Sequence, residues 1–334
     1  MPSIDEVLES MDDKERKRFL FGEDVTITRV PTPSIGLTRA LGGGWALGRQ
    51  ATVWGTKSAG KSTLMMEQVA LCQSLGYSCA YIDTEEAFDK SWASRLGVDN
   101  KQLIYRNSKS MNHVADDSAA LLRAGVDVLI IDSITPLVPA AYLEKDGETL
   151  KAMSDMGALG SVARDTSKLL SNMNYENNNT LVILISQHRM KSSGMYWGMG
   201  ATNGNAVEFY SQQMVKLFSS EGGTNTIEGQ VTYGDLVVKK PIGRKVNYTV
   251  QYNKLGPQSY TGQYNLYYEG DFVGIDKAGE ILDIAVEAGV INRAGSWYAL
   301  GDNRLGQGAD NVAERLRKDE ELLREVKEKI GYSE

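Results

Sequence analysis

Four near-continuous apolar runs, separated by segments rich in helix-forming residues, organise the first half of the chain. They read QATVW from residue 50, SCAYID at residues 78–83, VDVLIID at 126–132 and TLVILIS at 180–186. A strand that is covered by helices on both faces carries apolar side chains on both faces, so these runs predict parallel strands of an α/β sheet. Ligands of such sheets bind beyond the carboxyl ends of the strands, which is where we expect the functional residues.

Both ends of the chain show helical periodicity. At the amino end, the SIDE segment at residues 3–6 has the form of a capping box and precedes apolar residues at helical spacing. The segment FLFGEDVTITRVPTPS that follows predicts a strand or an extended linker. The apolar stripe of this amino-terminal arm must be buried against either the parent domain or a neighbouring subunit, and the sequence leaves both open. Near the carboxyl end a second helical stripe comprises Val312, Leu316, Leu323, Val326 and Ile330.

The composition is that of a soluble globular protein. The 334 residues are 42% hydrophobic and 24% charged, which is enough chain for one large core and a smaller appended unit. No apolar run approaches the roughly 18 residues that a membrane span needs, and the polar amino terminus lacks the apolar centre of a signal peptide. We therefore expect a cytoplasmic protein with no membrane partner.

Charge and cysteine content narrow the function classes only slightly. The formal net charge of -7 argues against a surface that is positive all over, but it leaves room for a local basic groove. The two cysteines, Cys72 and Cys79, fall within a predicted helix end and a predicted buried strand. They are too few for a disulfide framework or a metal cluster, and we expect both to be structural.

A phosphate-binding loop follows the first apolar run. Residues 55–62, GTKSAGKS, fit the pattern G-x-x-x-x-G-K-[ST], with a strand before them and a helix after them. The glycines allow successive backbone N–H groups to turn inward, and the helix presents its positive end to the same place. We expect Lys61 to reach the terminal phosphates of ATP and the Ser62 hydroxyl to bind Mg²⁺. The predicted nucleotide-binding residues of this segment are Gly55, Thr56, Lys57, Ser58, Ala59, Gly60, Lys61, Ser62 and Thr63.

Acidic residues follow two further runs. Asp132 ends VLIID, where a carboxylate can hold the magnesium ion through its water ligands; the alternative is a strand-end helix cap shared with Ser133. The segment YIDTEEAFD ends another strand, and a carboxylate there can polarise water near the γ-phosphate. ATP hydrolysis is therefore expected, but the spacing does not choose among its four acids, Asp83, Glu85, Glu86 and Asp89.

Several segments together resemble the bacterial and phage RecA recombinases. They are GTKSAGKST, YIDTEEAFDKSWASRLGVD, VDVLIIDSITPLVP, SQHRMK and GNAVEFY, in the family's order and at similar distances. The carboxyl-terminal stretch that begins at GEILDIAVEAGVINRAGSWY and includes GQG resembles the family's small carboxyl-terminal domain. The resemblance covers residues 34–330. It implies an α/β P-loop core with a mainly parallel twisted sheet at residues 34–270, preceded by a polymerisation arm of one helix and one strand at 1–33 and followed by an α+β domain at 271–334.

Roles for individual residues follow from this resemblance. Glu85 matches the catalytic glutamate, and Gln187 matches the glutamine that senses the γ-phosphate. Trp92 falls where an aromatic ring stacks on adenine, and Asp89 and Tyr267 match further adenine contacts. In YNKLGP, Lys254 matches one of two lysines that reach the ATP of the neighbouring subunit, whereas Tyr252 stands at the position of the other. This departure puts the strength of the contact between subunits in doubt.

Two loops are expected to contact DNA. Residues 188–206 are glycine-rich and combine cations with Met, Tyr and Trp, which is typical of single-stranded nucleic acid contacts and unusual for a merely disordered surface loop. Residues 151–164 resemble the family's other DNA loop. The DNA-contacting positions implied by the resemblance are Arg164, Ser167, Arg189, Met190, Gly204 and Asn205, while Ser171 stands where the family usually has an arginine.

The basic run KKPIGRK at residues 239–245 is open to three interpretations: a solvated hairpin, a contribution to duplex DNA capture, or part of a subunit interface. The family's long acidic tail does not follow GYSE, so we expect duplex binding that depends less on free magnesium.

These observations predict a DNA-dependent ATPase that uses ATP and Mg²⁺, forms a helical homo-oligomeric filament on single-stranded DNA and exchanges strands with homologous double-stranded DNA, with single-strand-binding or mediator proteins as further partners. Two alternatives stay open, a ring-forming helicase or motor of the same fold and a non-catalytic DNA-binding mediator. Host or phage origin and repressor cleavage stay open as well.

Overall fold

The structure is a computed structural model that describes residues 3–16, 22–24, 26–135, 137, 168, 179–193, 196–201, 207, 209–219, 225–234, 236–258 and 260–332. For residues 24, 188–193 and 196–201 only the backbone is described. Helices and strands are numbered in chain order within these residues. The helices are α1 (Ile4–Glu9), α2 (Asp13–Arg16), α3 (Ile35–Ala40), α4 (Lys61–Ser74), α5 (Lys90–Arg95), α6 (Met111–Ala124), α7 (Lys277–Glu287), α8 (Ala309–Lys318) and α9 (Glu320–Lys329).

The strands form one large sheet and two small ones. They are β1 (Arg29–Val30), β2 (Trp45–Ala46), β3 (Gln50–Gly55), β4 (Cys79–Asp83), β5 (Leu103–Asn107), β6 (Val128–Asp132), β7 (Leu181–Ser193), β8 (Tyr196–Ala201), β9 (Gln213–Phe218), β10 (Thr226–Tyr233), β11 (Leu236–Asn253), β12 (Thr261–Tyr267), β13 (Gly274–Ile275), β14 (Asn292–Ala294), β15 (Trp297–Leu300) and β16 (Asn303–Gln307). The large sheet has the order β13-β12-β11-β9-β3-β7-β6-β4-β5, with β10 paired to β11 and β8 paired to β7.

The centre of the large sheet is parallel and buried on both faces, as the apolar runs predict. The strands from β9 through β3, β7, β6 and β4 to β5 run parallel. On one face, alternate residues of β4, β6 and β7 pack with Leu64, Met65 and Val69 of α4. On the other face, the remaining residues of these strands pack with Val114 and Leu122 of α6. The predicted α/β fold class is confirmed.

The other half of the sheet is antiparallel, a feature that the apolar runs do not indicate. β11 pairs antiparallel with β9, β12 and β10, and β12 pairs antiparallel with β13. β11 is 18 residues long, and the part that pairs with β10 forms an exposed two-stranded ribbon. Near its tip, Tyr233, Leu236 and Val237 are 54%, 65% and 56% exposed.

The amino-terminal arm begins with the predicted helix. Ser3 Oγ accepts a hydrogen bond from Glu6 N at 3.2 Å, and Glu6 Oε2 accepts one from Ser3 N at 2.8 Å, which together form the capping box. No residue of α1 is buried, and Ile4 is 69% exposed. Within the described residues, the apolar stripe of α1 therefore has no covering surface on its own chain.

The carboxyl-terminal part is a small α+β unit, as expected. It comprises the antiparallel sheet β14-β15-β16 and the helices α7 to α9. The predicted stripe lies on two helices, because Asp319 caps α9 by accepting a hydrogen bond from Leu322 N. Val312, Leu316 and Val326 are fully buried, and so is most of Leu322, whereas Leu323 and Ile330 are partly buried.

Both cysteines are buried and free, as expected. None of the described helices is long and apolar enough to cross a lipid bilayer.

Two buried glutamates join the carboxyl-terminal unit to the core. Glu280 of α7 accepts hydrogen bonds from Ser34 Oγ at 2.7 Å and from the backbone N–H groups of Ile35 and Gly36, both at 3.1 Å. Glu67 of α4 accepts from Ile275 N at 3.0 Å. Burial raises the pKa of each carboxyl group to about 7. The junction is therefore built on groups that are costly to ionise.

These pKa values predict how the stability of the junction depends on pH. A carboxyl group whose pKa is higher in the folded chain than in the unfolded chain stabilises the fold fully below pH 4.5, and that contribution is lost as pH rises to about 7. The shift at Glu280 corresponds to roughly 3 kcal/mol. We expect Glu280→Gln to flatten the fall in unfolding free energy between these pH values, as measured by urea denaturation.

Glu287→Gln is the matched control, because Glu287 is an exposed residue of the same helix. Its pH profile should follow that of the unaltered protein. Equal slopes for the Glu280→Gln variant and the unaltered protein would contradict the prediction.

Candidate active site

The carboxyl ends of four neighbouring strands bring the predicted site residues together. In the parallel pairing of β3 with β7, Gly55 is the partner of Gln187. In the pairing of β4 with β6, Asp83 is the partner of Asp132. Because all four strands run in the same direction, these residues lie at one edge of the sheet. A cleft of about 590 Å³, which we call the strand-end cleft, opens there.

The phosphate-binding loop requires glycine at both positions where the pattern G-x-x-x-x-G-K-[ST] has one, Gly55 and Gly60. Gly55 has φ +154°, and a Cβ atom there would lie 1.8 Å from the carbonyl oxygen of Leu217 on β9. Gly60 has φ +83°, and its Cβ would lie 2.7 Å from Leu266 Cδ2. A side chain at Gly55 would clash with the backbone of β9, whereas at Gly60 it would be strained by the positive φ and would push against the Leu266 side chain. The loop therefore packs against the antiparallel half of the sheet as well as against its own strand.

Lys61 begins α4 and lies inside this loop. Its Nζ atom donates hydrogen bonds to the carbonyl oxygens of Thr56 at 2.8 Å and Gly55 at 3.3 Å. Burial lowers the pKa of the ammonium group, whereas the nearby Asp132 and Glu85 carboxylates raise it. The ammonium is therefore poorly solvated, and an additional anion in the cleft would stabilise its charged form.

Asp132 is the buried acid of the site. One of its carboxylate oxygens accepts a hydrogen bond from Tyr81 Oη at 2.6 Å, and the Ser62 hydroxyl also bonds to this carboxylate. Burial raises the pKa of Asp132, and these two bonds lower it. A hydroxyl and a carboxylate that face each other are hard oxygen donors of the kind that Mg²⁺ prefers. Ser62 and Asp132 thus fit the predicted magnesium site, and the alternative in which Asp132 caps with Ser133 does not describe these contacts.

The acids after β4 have different surroundings. Asp83 accepts hydrogen bonds from the backbone N–H groups of Glu85, Ala87 and Phe88, each at 2.9 Å, so it shapes the turn. The side chain of Glu86 is ion-paired with Lys109 at 2.8 Å and is 55% exposed.

Glu85 is the acid of this turn that lines the strand-end cleft. Its Oε1 atom accepts hydrogen bonds from Ser133 Oγ and from Gln187 Nε2, both at 2.7 Å. Asp83, Glu85 and Glu86, which spacing alone does not distinguish, thus have different contacts in the structure. Glu85 is hydrogen-bonded to Gln187, which is 102 residues later in the chain.

Aromatic and apolar side chains form another wall of the cleft. Trp92, Leu266, Tyr267 and Tyr268 line it together with the phosphate-binding loop. Trp92 and Tyr267, the predicted contacts of a base, thus line the same cleft as the phosphate-binding loop. Asp89 is placed differently: it caps α5 by accepting a hydrogen bond from Trp92 N at 2.6 Å, and it is not among the residues that line the cleft.

Lys254 lies away from the cleft of its own chain. Its Nζ atom donates a hydrogen bond to the carbonyl oxygen of Phe209 at 2.7 Å and lies 5.6 Å from the centre of the Phe209 ring. Phe209 itself is 72% exposed. Tyr252, two residues earlier on β11, is 39% exposed. Both positions are therefore on the surface, where a neighbouring subunit could reach them.

The DNA-contacting predictions are described only in part. Arg164, Ser167, Gly204 and Asn205 lie outside the described residues, as does Ser171. Arg189 and Met190 lie on β7, in a hairpin with β8 in which Arg189 pairs with Gly200 and Met190 with Met199. This hairpin continues directly from Gln187.

Arg244 is a residue of the cleft that the sequence patterns did not identify. It belongs to the basic run at 239–245, but it lines the strand-end cleft, whereas Lys239 is ion-paired with Glu228 at 2.6 Å and Lys240 with Glu269. The place of each residue along β11 and the register shift in its pairing with β10 decide which side chain faces the cleft, and the sequence alone shows neither.

The comparisons with known proteins agree with this geometry. Residues 13–270 match the family described as RecA N-terminal domain, and residues 279–333 match the RecA C-terminal domain. The chain is 35% identical to Protein RecA of Bordetella pertussis over 307 residues, which is 90% of this chain and 80% of the relative. It is 34% identical to Protein RecA of Desulfovibrio desulfuricans over 313 residues, 92% of this chain and 81% of the relative.

The different surroundings of Asp83 and Glu85 predict different effects of their substitution on stability. Asp83→Asn should lower the unfolding free energy by about 1–3 kcal/mol, because an amide has one acceptor oxygen and cannot serve N–H groups that now bond to both carboxylate oxygens. Glu85→Gln should change it by less than about 1 kcal/mol, since Glu85 makes only side-chain contacts at the cleft. Urea denaturation measures both values.

Glu86→Gln provides the control for loss of an acidic group in the same turn, because its ion pair is exposed. Equal losses for Asp83→Asn and Glu85→Gln would show that the two acids do not differ as the geometry indicates.

Proposed function

The chain belongs to the RecA family, and from this membership and the geometry of the strand-end cleft we propose that it is a DNA-dependent ATPase and recombinase. In this proposal it assembles as a helical filament on single-stranded DNA in the cytoplasm, pairs that strand with a homologous duplex and exchanges strands. ATP and Mg²⁺ are its cofactors, and single-strand-binding or mediator proteins are further partners.

The residues of the cleft have distinct roles in this proposal. The backbone N–H groups of residues 55–63 and the Lys61 ammonium bind the phosphates, while Trp92 and Tyr267 hold the base. Ser62 and Asp132 would hold Mg²⁺, which when bound offsets phosphate charge. Glu85 accepts a proton from the attacking water, since it is the acid of its turn that reaches the cleft.

The hydrogen bond from Gln187 Nε2 to Glu85 Oε1, 2.7 Å long, is the observation that carries the proposal. The Gln187 amide and the Glu85 carboxylate, the proposed proton acceptor, therefore face the same part of the strand-end cleft. A terminal phosphate offers Gln187 a competing acceptor, so the amide can exchange a carboxylate for a phosphate. Because the hairpin of β7 and β8 starts at this residue, such an exchange couples the state of the nucleotide to Arg189 and Met190.

Filament formation is supported by surfaces that no other part of the described chain covers. α1 has no buried residue, and its Ile4 and Val7 side chains are 69% and 41% exposed. We propose that this arm packs on the adjacent subunit. Lys254 and the exposed Phe209 then belong to the surface that approaches the ATP of a neighbour.

The role of Glu85 predicts a separation of binding from turnover. Glu85→Gln keeps an acceptor oxygen but cannot take up a proton, so DNA-stimulated phosphate release should fall by about 10²–10⁴-fold. Affinity for a ribose-labelled ATP analogue and for single-stranded DNA should stay within about threefold. Glu86→Gln is the control and should turn over ATP at the unaltered rate. Retained turnover in Glu85→Gln would show that another residue accepts the proton.

Strand exchange itself is tested with a circular single strand, ATP, magnesium and a linear duplex that is either homologous or unrelated. We expect joint molecules only with ATP and the homologous duplex, visible as slow-migrating species on agarose gels. Strand separation without regard to homology would favour the ring motor. DNA binding without ATP turnover and without joints would favour the mediator, and either result would refute the proposal.

A further inference from the structure

Arg244 connects the antiparallel half of the sheet to the phosphate-binding loop. It lies on β11, where its Cα partner on β12 is Leu266, a residue that lines the strand-end cleft. Its Nη1 atom donates a hydrogen bond to the carbonyl oxygen of Ser58 at 2.8 Å. The centre of its guanidinium group lies 5.6 Å from the centre of the Tyr268 ring. The guanidinium is thus held between the loop and the aromatic wall of the cleft.

Among the residues that the structure describes, no carboxylate neutralises the charge of Arg244. No carboxylate of the described residues lies within ion-pair distance of it, although the neighbouring Lys239 and Lys240 each have one, Glu228 and Glu269. The Ser58 carbonyl occupies one of five N–H donors of the guanidinium. Two further cations, Lys57 and Lys61, line the same cleft. Three cations facing one cleft favour an anionic ligand more than any one of them would alone.

The register of β11 separates Arg244 from the next cation along the strand. Side chains of successive residues point to opposite faces of a sheet. Lys245 accordingly lines a different pocket, together with Gln263, Asn265 and Asp283. The orientation of Arg244 into the strand-end cleft is therefore specific to this residue and is not shared by the basic run as a whole.

We propose that Arg244 binds a phosphate group of the bound nucleotide and is a second cationic contact beside Lys61. The inference rests on the proposed binding of ATP in this cleft and adds a residue contributed by β11. A guanidinium suits this role because its N–H donors form a planar fork that matches two phosphate oxygens. The cation–π contact with Tyr268 and the bond to Ser58 hold the guanidinium in place before the nucleotide arrives, which reduces the entropy lost on binding.

A purely structural role for Arg244 makes a different prediction. Ser58 has φ +59°, which is uncommon for a residue with a side chain, and the bond from Arg244 could serve only to hold that conformation. In that case an N–H donor at residue 244 would suffice and its charge would be irrelevant. Arg244→Gln keeps a donor without charge, and Arg244→Lys keeps both a donor and the charge.

The test measures the affinity of the full chain for ribose-labelled ADP and for a slowly hydrolysed ribose-labelled ATP analogue, with magnesium and without DNA. We expect Arg244→Gln to weaken both by about tenfold or more and Arg244→Lys by less than about threefold, because phosphate binding depends on the charge. The dependence of affinity on salt should be shallower in Arg244→Gln. Lys245→Gln removes the same charge on the opposite face and should bind as the unaltered protein does.

The outcomes separate this inference from the proposed function. If the unaltered protein binds neither nucleotide, the proposed function fails and this inference fails with it. If it binds and Arg244→Gln binds equally well, or if the Lys and Gln variants lose affinity equally, the phosphate contact is refuted while the proposed function stands. Thermal unfolding checks that the variants fold, with Arg244→Met as a second neutral variant. If neither Arg244→Gln nor Arg244→Met folds, Arg244 is needed for folding, and the inference is overturned.

Discussion

The site depends on the common register of four parallel strands. β3, β7, β6 and β4 end at one edge, so that Gly55 lies beside Gln187 and Asp83 beside Asp132. Because side chains alternate along a strand, a slip of one residue in β6 would turn Asp132 away from Ser62 and put Ile131 or Ser133 in its place. The apolar side chains that fill both faces of these strands resist such a slip. The core packing thus sets the geometry of the charged groups.

The charged groups at this edge compensate one another only partly. Lys61 and Asp132 are nearly buried, at 8% and 7% exposure, and burial disfavours the charged form of each. Hydrogen bonds from Tyr81 and Ser62 offset part of this cost at Asp132, and the carbonyl oxygens of Gly55 and Thr56 do so at Lys61. At a poorly solvated edge, charged groups interact more strongly with a charged ligand than they would in water. In the proposed function, the same burial that is costly for the free chain would favour binding of a phosphate and a metal ion.

The parts of the fold that the sequence predicted well are those with a local signal. The buried parallel strands, and the bend between β3 and α4, can be read from short segments, and the structure brings together Glu85 and Gln187, whose roles stay predictions from the resemblance. β5 carries exposed residues such as Ile104 and Tyr105, and its mixed pattern predicts no strand. Glu67 and Glu280 have the sequence context of ordinary helix glutamates, and only the packing of the carboxyl-terminal unit buries them. The roles of Asp83 and Arg244 could not be predicted because they depend on contacts with the backbone and on the register of β11.

β11 connects three features that lie apart in the sequence analysis: the exposed ribbon, the strand-end cleft and the surface around Lys254. One end of this strand forms the exposed ribbon with β10, Arg244 lies at the strand-end cleft, and Lys254 just beyond the other end bonds to Phe209. Between them the strand is hydrogen-bonded to β9 and β12 on its two sides, so this stretch can move only together with its neighbours. If the proposed filament forms, the same strand would connect the ATP bound by one subunit to the surface that faces the ATP of the next, and its pairing on both sides would favour transmission along the strand over absorption in a loop.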